Sequence, residues 1–287
     1  MGVIFKKELK SYFLGPLAYI YLGVFLFFVG LYFVFGNLFG MNTAFNSVLS
    51  EIVLIFLFIS PVITMRILSE ERKNKTDQLL YTSPQSIYSI VLGKFAAAFA
   101  LFLVGVALTL IYPIILSTLG TVIVSELISS YLGLILIGGA FISIGMLISA
   151  LTENQVTAAV ATLGTLLIIW FMEPIAQSFP QDALSGLIFV IILVCLFGGI
   201  IYGITKNKVM SVLISIVGVF IAIGVFFVNK DVFYGIIGNF FSWFALIDKN
   251  IELNQGLVPL SSITYYLSFI FIMLLITVKS IEKRRWS

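Results

Sequence analysis

The side chains able to do chemistry are few, and they gather in one place. Between Arg66 and about Leu92 runs RILSEERKNKTDQLLYTSPQSIYSIVL, whose first part holds Glu70, Glu71, Arg72, Lys73, Lys75 and Asp77. Elsewhere the 13 carboxylates are scattered, with no cluster dense enough to ligate a metal. The 287 residues contain no histidine, which removes the imidazole base, the imidazole ligand and the Ser-His-Asp triad. A single cysteine, Cys195, lies inside an apolar run and forms neither an internal disulfide nor a Cys-rich metal site. A phosphate cradle is also missing: Gly93-Lys94 is followed by Phe95, and Tyr88 stands where the first glycine of a P-loop belongs. The charges of this segment therefore suit contact and electrostatics, not catalysis, and no cofactor or metal is expected to bind directly.

What must position the segment is lipid-embedded helix. The chain is 61% hydrophobic and 10% charged, with mean hydropathy +1.16. Soluble domains carry about 25% charge, so this composition could not cover a water-facing surface. Eight continuous apolar runs, roughly 17–36, 48–66, 93–116, 129–151, 156–173, 185–204, 210–228 and 262–279, are long enough to cross about 30 Å of hydrocarbon. None shows the alternating polarity of a β-barrel strand. The expected fold is an all-α integral membrane protein of about eight spans, a single transmembrane domain over 1–287.

Charge sorting supplies an orientation. With the N-terminus cytoplasmic, fourteen of the sixteen cations fall inside and only Lys230 and Lys249 outside, while seven of the thirteen acids fall outside. Both termini are then cytoplasmic. The basic pI of 8.9 reads as topology and gives no reason to expect nucleic-acid binding. Residues 2–14 place Phe5, Leu9, Tyr12 and Phe13 on one helical face, with Lys6, Lys7 and Lys10 on the polar side, and Gly15-Pro16 breaks the helix before the first span. This suits an interfacial helix with its lysines at anionic headgroups of membrane lipids, or a simple charged flank.

Inside the charged segment, a short helix from about Thr76 to Thr82 is expected, with Asp77 at its positive end and Ser83-Pro84 ending it. It carries Leu79, Leu80 and Tyr81, an apolar patch that lipid, the same chain or a soluble subunit could cover. The outer stretch 229–261 holds Phe240, Phe241, Trp243 and Phe244, too hydrophobic for a free loop. It reads as a re-entrant or interfacial helix pair, serving as an exit gate, a partner site or an aromatic belt. Small residues spaced by four, Gly139 with Ser143, Gly145 with Ser149 and Gly199 with Gly203, suit close helix packing.

Four strings in order resemble the permease subunits of type-2 exporter-class ABC transporters, closest to the gliding-motility branch. They are KKELKSYFLGPLAYI at the start; PVITMR with SEERKNKTDQLLYTSP and Gly93-Lys94; LISALTENQVTAAV at 147–160; and YYLSFIFIMLLITVKSIEKRRWS at the end. The resemblance implies that 2–14 is an elbow helix and that 66–92 contains the coupling helix, which sits on a separate ATP-binding subunit. Carried over by position, Glu70, Glu71, Arg72, Thr76, Asp77, Leu79, Leu80 and Pro84 become contacts with that subunit. Glu153 and Asn154, in the turn between the fourth and fifth spans, become a second contact or a polar turn that caps two helices. ATP and Mg would be handled by two copies of the ATP-binding subunit, beside a second permease copy or homologous permease and an accessory subunit with an extracytoplasmic domain. The setting implied is the cytoplasmic membrane of a prokaryotic cell, and the activity is ATP-driven export of an amphiphilic or hydrophobic substrate. Force transmission to an extracytoplasmic partner, with nothing transported, is the alternative. The chain departs from the family plan in carrying Asn74 and Lys75 where a glycine is usual, and in adding the hairpin 185–228 to a six-span core.

Overall fold

The computed structural model describes residues 1–76 and 85–285. The expected short helix lies outside the described residues beyond Thr76, as do the contacts expected at Asp77, Leu79, Leu80 and Pro84. The described residues contain no strand, and seven helices are long and apolar enough to cross a membrane, or eight if one interrupted pair forms a single span. The interrupted pair falls on the expected run 156–173, which breaks at Phe171. Continuous apolar sequence becomes helix here because hydrocarbon offers no partner for backbone N–H and C=O groups, so each segment satisfies its own.

In chain order the helices are α1 (Gly2–Leu14), α2 (Leu17–Tyr32, extended by a π-helical Phe33–Phe39), α3 (Phe45–Thr64) and α4 (Ser69–Lys73). Then come α5 (Ile87–Thr109), α6 (Ile111–Leu119), α7 (Val124–Leu151), α8 (Gln155–Trp170) and α9 (Met172–Ser178). The chain continues with α10 (Ala183–Thr205), α11 (Lys208–Val228), α12 (Ile236–Ser242), α13 (Ile251–Asn254) and α14 (Leu260–Arg285). Two compact units result: Met1–Ile168 with the stretch from Leu246 onward, and Ile169–Ala245.

The first unit is built around α3 and α7, which pack along their length, with α14 and α5 against α7, α2 against α3 and α1 against α5. Phe25, Phe56, Phe102 and Phe141, one from each of α2, α3, α5 and α7, are fully buried and meet at its centre. Phe56 lies 4.4 Å from Phe102 and 6.2 Å from a parallel Phe141, centroid to centroid. Gly145 explains how α3 and α7 approach so closely, since a Cβ there would run into the Thr64 side chain. Gly199 has the same sequence spacing to a small neighbour, but open space around it. Gly145→Val is therefore expected to lose about 1–3 kcal/mol by overpacking, while Gly199→Val leaves the denaturation midpoint in mixed micelles unmoved. Equal midpoints for the two variants would show that α3 and α7 are held apart.

The second unit contains the helical hairpin of α10 and α11. Thr205 ends α10, Lys206 takes a left-handed conformation (φ 52°), and the Asn207 side chain accepts from the amides of Val209 and Met210 to start α11. The turn expected at Lys206-Asn207-Lys208 thus has local chemistry behind it. Ser211 donates to the Gly198 carbonyl at 2.6 Å across the hairpin. The outer faces of α10 and α11 are exposed and apolar, among them Ile188, Ile192, Leu213 and Phe220. At the start of α10, Asp182 accepts from the Ser185 amide, and those hydrogen bonds hold its carboxyl below the usual range. Within this unit Phe179 stacks on Phe241 at 4.9 Å. The stretch 229–261 is divided: its first part, with α12, belongs to this unit, and its last part, with α13, belongs to the first. There, Asn46 donates to Glu126 and to the Asn254 carbonyl, both at 3.0 Å.

Candidate functional site

The charged segment forms a layer of paired side chains at one end of the first unit. After Thr64 the chain turns, and α4 starts at Ser69. A helix start leaves amides without partners, and here a distant residue supplies them. Ser149 on α7 accepts from the amides of Leu68 and Ser69, each at 3.1 Å, and donates to the Met65 carbonyl at 3.2 Å. Ser149 is one turn beyond Gly145, so a single face of α7 both admits α3 and caps α4.

Lys94 is the centre of the layer. It projects from the first turns of α5, is 3% exposed, and uses all three of its donors. Nζ lies 3.0 Å from Glu8 on α1, 2.8 Å from Glu71 on α4, and 3.0 Å from the carbonyl of Ile67 in the turn between α3 and α4. Burying an ammonium is costly unless its charge is paired and its protons are accepted, and both conditions are met. The preceding residue is Gly93, where a Cβ would lie 3.0 Å from the Ile4 side chain. Glycine thus lets α1 lie against α5, and that brings Glu8 within reach of Lys94.

The helix α1 buries Ile4 and Tyr12, with the half-buried Glu8 between them at a spacing of four, while Phe5, Leu9 and Phe13 are half-buried to one side. The inward stripe is displaced from the one the hydrophobic pattern suggests, because a carboxylate with a buried lysine partner takes a core position. Tyr12 donates to the Ile63 carbonyl at 3.2 Å, and burial pushes its phenol up, so it stays a neutral donor. Lys6, Lys7 and Lys10 are exposed on the remaining side.

Two further pairs complete the layer. Arg66 grips Glu70 with two hydrogen bonds, of 2.8 and 2.7 Å, on a partly exposed surface. Arg72 donates to the Ala150 carbonyl at 3.0 Å and to Glu153 at 2.8 Å. Arg284 reaches the Leu151 carbonyl at 3.3 Å. Two guanidinium groups therefore serve the last carbonyls of α7, where a positive charge also complements the helix dipole. Asn154 accepts from the Val156 amide at 2.9 Å as α8 begins, and Thr76 donates to the Glu71 carbonyl at 3.3 Å. Of the residues singled out from the sequence, Glu70, Glu71, Arg72, Thr76 and Glu153 come together in this layer, with Asn154 next to Glu153. Lys94 and Glu8 are members to which the sequence assigned no role here, and Ser149 stood out only as a small residue.

Between α1 and α4 a polar cleft of about 480 Å³ opens beside Lys94, lined by Lys7, Ser11, Glu70 and Asn74. Among the described residues no group of His, Cys, Asp and Glu side chains could hold a metal ion. The layer offers matched charges that fix four chain segments to one another, an arrangement suited to passing displacement between them. A family model described as ABC-2 family transporter protein matches residues 40–185, just over half of the chain. No curated protein matches the sequence. The chain belongs to the ABC-2 transporter family and is a multi-pass membrane protein, the permease subunit of an ABC transporter.

Proposed function

We propose that this ABC-2 family permease works as an exporter, of the gliding-motility type, in the cytoplasmic membrane of a prokaryotic cell. Two copies of a separate ATP-binding subunit hydrolyse ATP with Mg, and two permease chains, identical or homologous, carry an amphiphilic or hydrophobic substrate. The segment 66–92 faces the ATP-binding subunit, with Glu70, Glu71, Arg72, Thr76 and the residues Asp77, Leu79, Leu80 and Pro84 as the contact, and Glu153-Asn154 beside it. Lys6, Lys7 and Lys10 rest at the inner-leaflet headgroups. The observation that carries this reading is the paired layer itself: the segment after α3 is locked to α1, α5 and α7, so force applied to it reaches two further spans and the elbow.

An apolar groove of about 370 Å³ between α2 and α3, lined by Ile20, Val24, Phe28, Ile55 and Phe58, supports a lipid-like substrate. The aromatic filling of the first unit favours a second reading, in which ATP hydrolysis works on an accessory subunit with an extracytoplasmic domain and nothing crosses. Purification from native membranes tests the shared premise. An ATP-binding protein is expected to accompany the chain, with ATPase activity that Leu79→Asp lowers on the order of tenfold, as for an apolar anchor at an interface. Membrane insertion stays intact. A chain recovered without any ATP-binding protein contradicts both readings. Reconstituted vesicles then separate them, since only the exporter moves a fluorescent lipid between leaflets when ATP is supplied.

A further inference from the structure

We propose that Lys94 is a positioning residue that makes α1, α4 and the start of α5 move as one body when the ATP-binding subunit acts. This rests on the functional reading above. The geometry behind it is specific. One ammonium joins Glu8 of α1, Glu71 of α4 and the Ile67 carbonyl of the intervening turn, at 3.0, 2.8 and 3.0 Å. These partners come from three separate places, and the lysine's own helix makes a fourth. Glu8 and Glu71 are themselves largely covered, with side chains 19% and 17% exposed, so neither is an ordinary surface pair.

Stability alone does not explain such a group. Well-packed apolar side chains of similar volume hold helices together at least as well as a buried ion cluster. What the cluster adds is selectivity of position: the three acceptors are satisfied together only when α1 and α4 keep one register against α5. Gly93 sets α1 directly on α5, and Ser149 fixes the start of α4 to α7. A push on the segment after α3 is therefore delivered to α1 through Lys94.

Glu8 provides the cleanest test, because it lies on α1, away from the segment proposed to meet the ATP-binding subunit. Spin labels at the exposed Ser11 and Asn74 report the α1–α4 distance in the complex with that subunit, with and without ATP. The wild-type distance is expected to be the same in both states. In Glu8→Gln it should broaden or shift when ATP binds, and ATPase stimulation should fall roughly five- to tenfold while the subunit still co-purifies. A wild-type distance that changes with ATP overturns the inference, and that measurement decides the matter if Glu8→Gln fails to accumulate. Unchanged distance and unchanged stimulation in Glu8→Gln also overturn it. A wild-type chain that binds no ATP-binding subunit sinks the functional reading and this inference with it, whereas a wild-type complex with a shifting distance sinks this inference alone.

Discussion

Lys94→Met lowers the stability of the solubilised chain by about 3 kcal/mol, the low end of what removing one partner from a buried ion pair costs. The low end applies because Glu8 and Glu71 retain 19% and 17% exposure and recover some hydration once the lysine is gone. Two carboxylates are then left facing each other, and the Ile67 carbonyl loses its donor. The loss belongs to these uncompensated groups and not to the missing attraction, so neutralising both acids as well should reverse most of it. Lys94→Met with Glu8→Gln and Glu71→Gln is expected to lie within about 1 kcal/mol of wild type, since it leaves no buried charge and the two amides bring donors for the Ile67 carbonyl. The Arg66–Glu70 pair is the control. It has better hydrogen-bond geometry, but its side chains are 38% and 36% exposed, and Arg66→Met should cost less than about 1 kcal/mol. Denaturation in mixed micelles measures all three. Equal losses for Lys94→Met and Arg66→Met would mean that the cluster is as well hydrated as the surface pair.

The spans were legible because their signal is local and strong. Runs such as 185–204 and 210–228 correspond to α10 and α11 within two residues at every end, and the turn between them carries its cap, Asn207, in the sequence. Which face of each span meets protein was not legible, because an all-apolar helix shows no polar side to mark what faces lipid. Gly145 and Gly199 have equivalent spacing, yet one abuts Thr64 and the other abuts nothing. The charged segment was visible as a site, but not its pairing. Glu8 and Lys94 are 86 residues apart, and each by itself is an ordinary flanking charge at a span end. The signal that did exist was the position of Glu8 between Ile4 and Tyr12, at helical spacing; an acid in line with two residues that turn inward implies a cation to meet it. Ser149 was picked out for its size, whereas its work is done by its hydroxyl.

Phe56→Ala should cost about 2 kcal/mol, the cavity contribution alone, and Phe58→Ala almost nothing, although the two residues sit two positions apart on the same helix. In water both losses would include a transfer term, because each ring would otherwise be exposed to solvent. In a bilayer that term nearly vanishes: lipid is as apolar as the interior, and helices associate through packing. Phe58 is 52% exposed and lines the groove between α2 and α3, so lipid chains fill the space its ring leaves. Phe56 is fully buried among Phe25, Phe102 and Phe141, three rings borne by three other helices. Its removal leaves a void that those rings cannot close without separating from their own neighbours, since a Cβ at Gly138 would already strike Phe102. The difference between the two variants is therefore a measure of packing with the transfer contribution cancelled. A difference below about 0.5 kcal/mol, the range of ordinary surface changes, would mean that the four helices do not form the rigid body on which transmission from the charged layer depends.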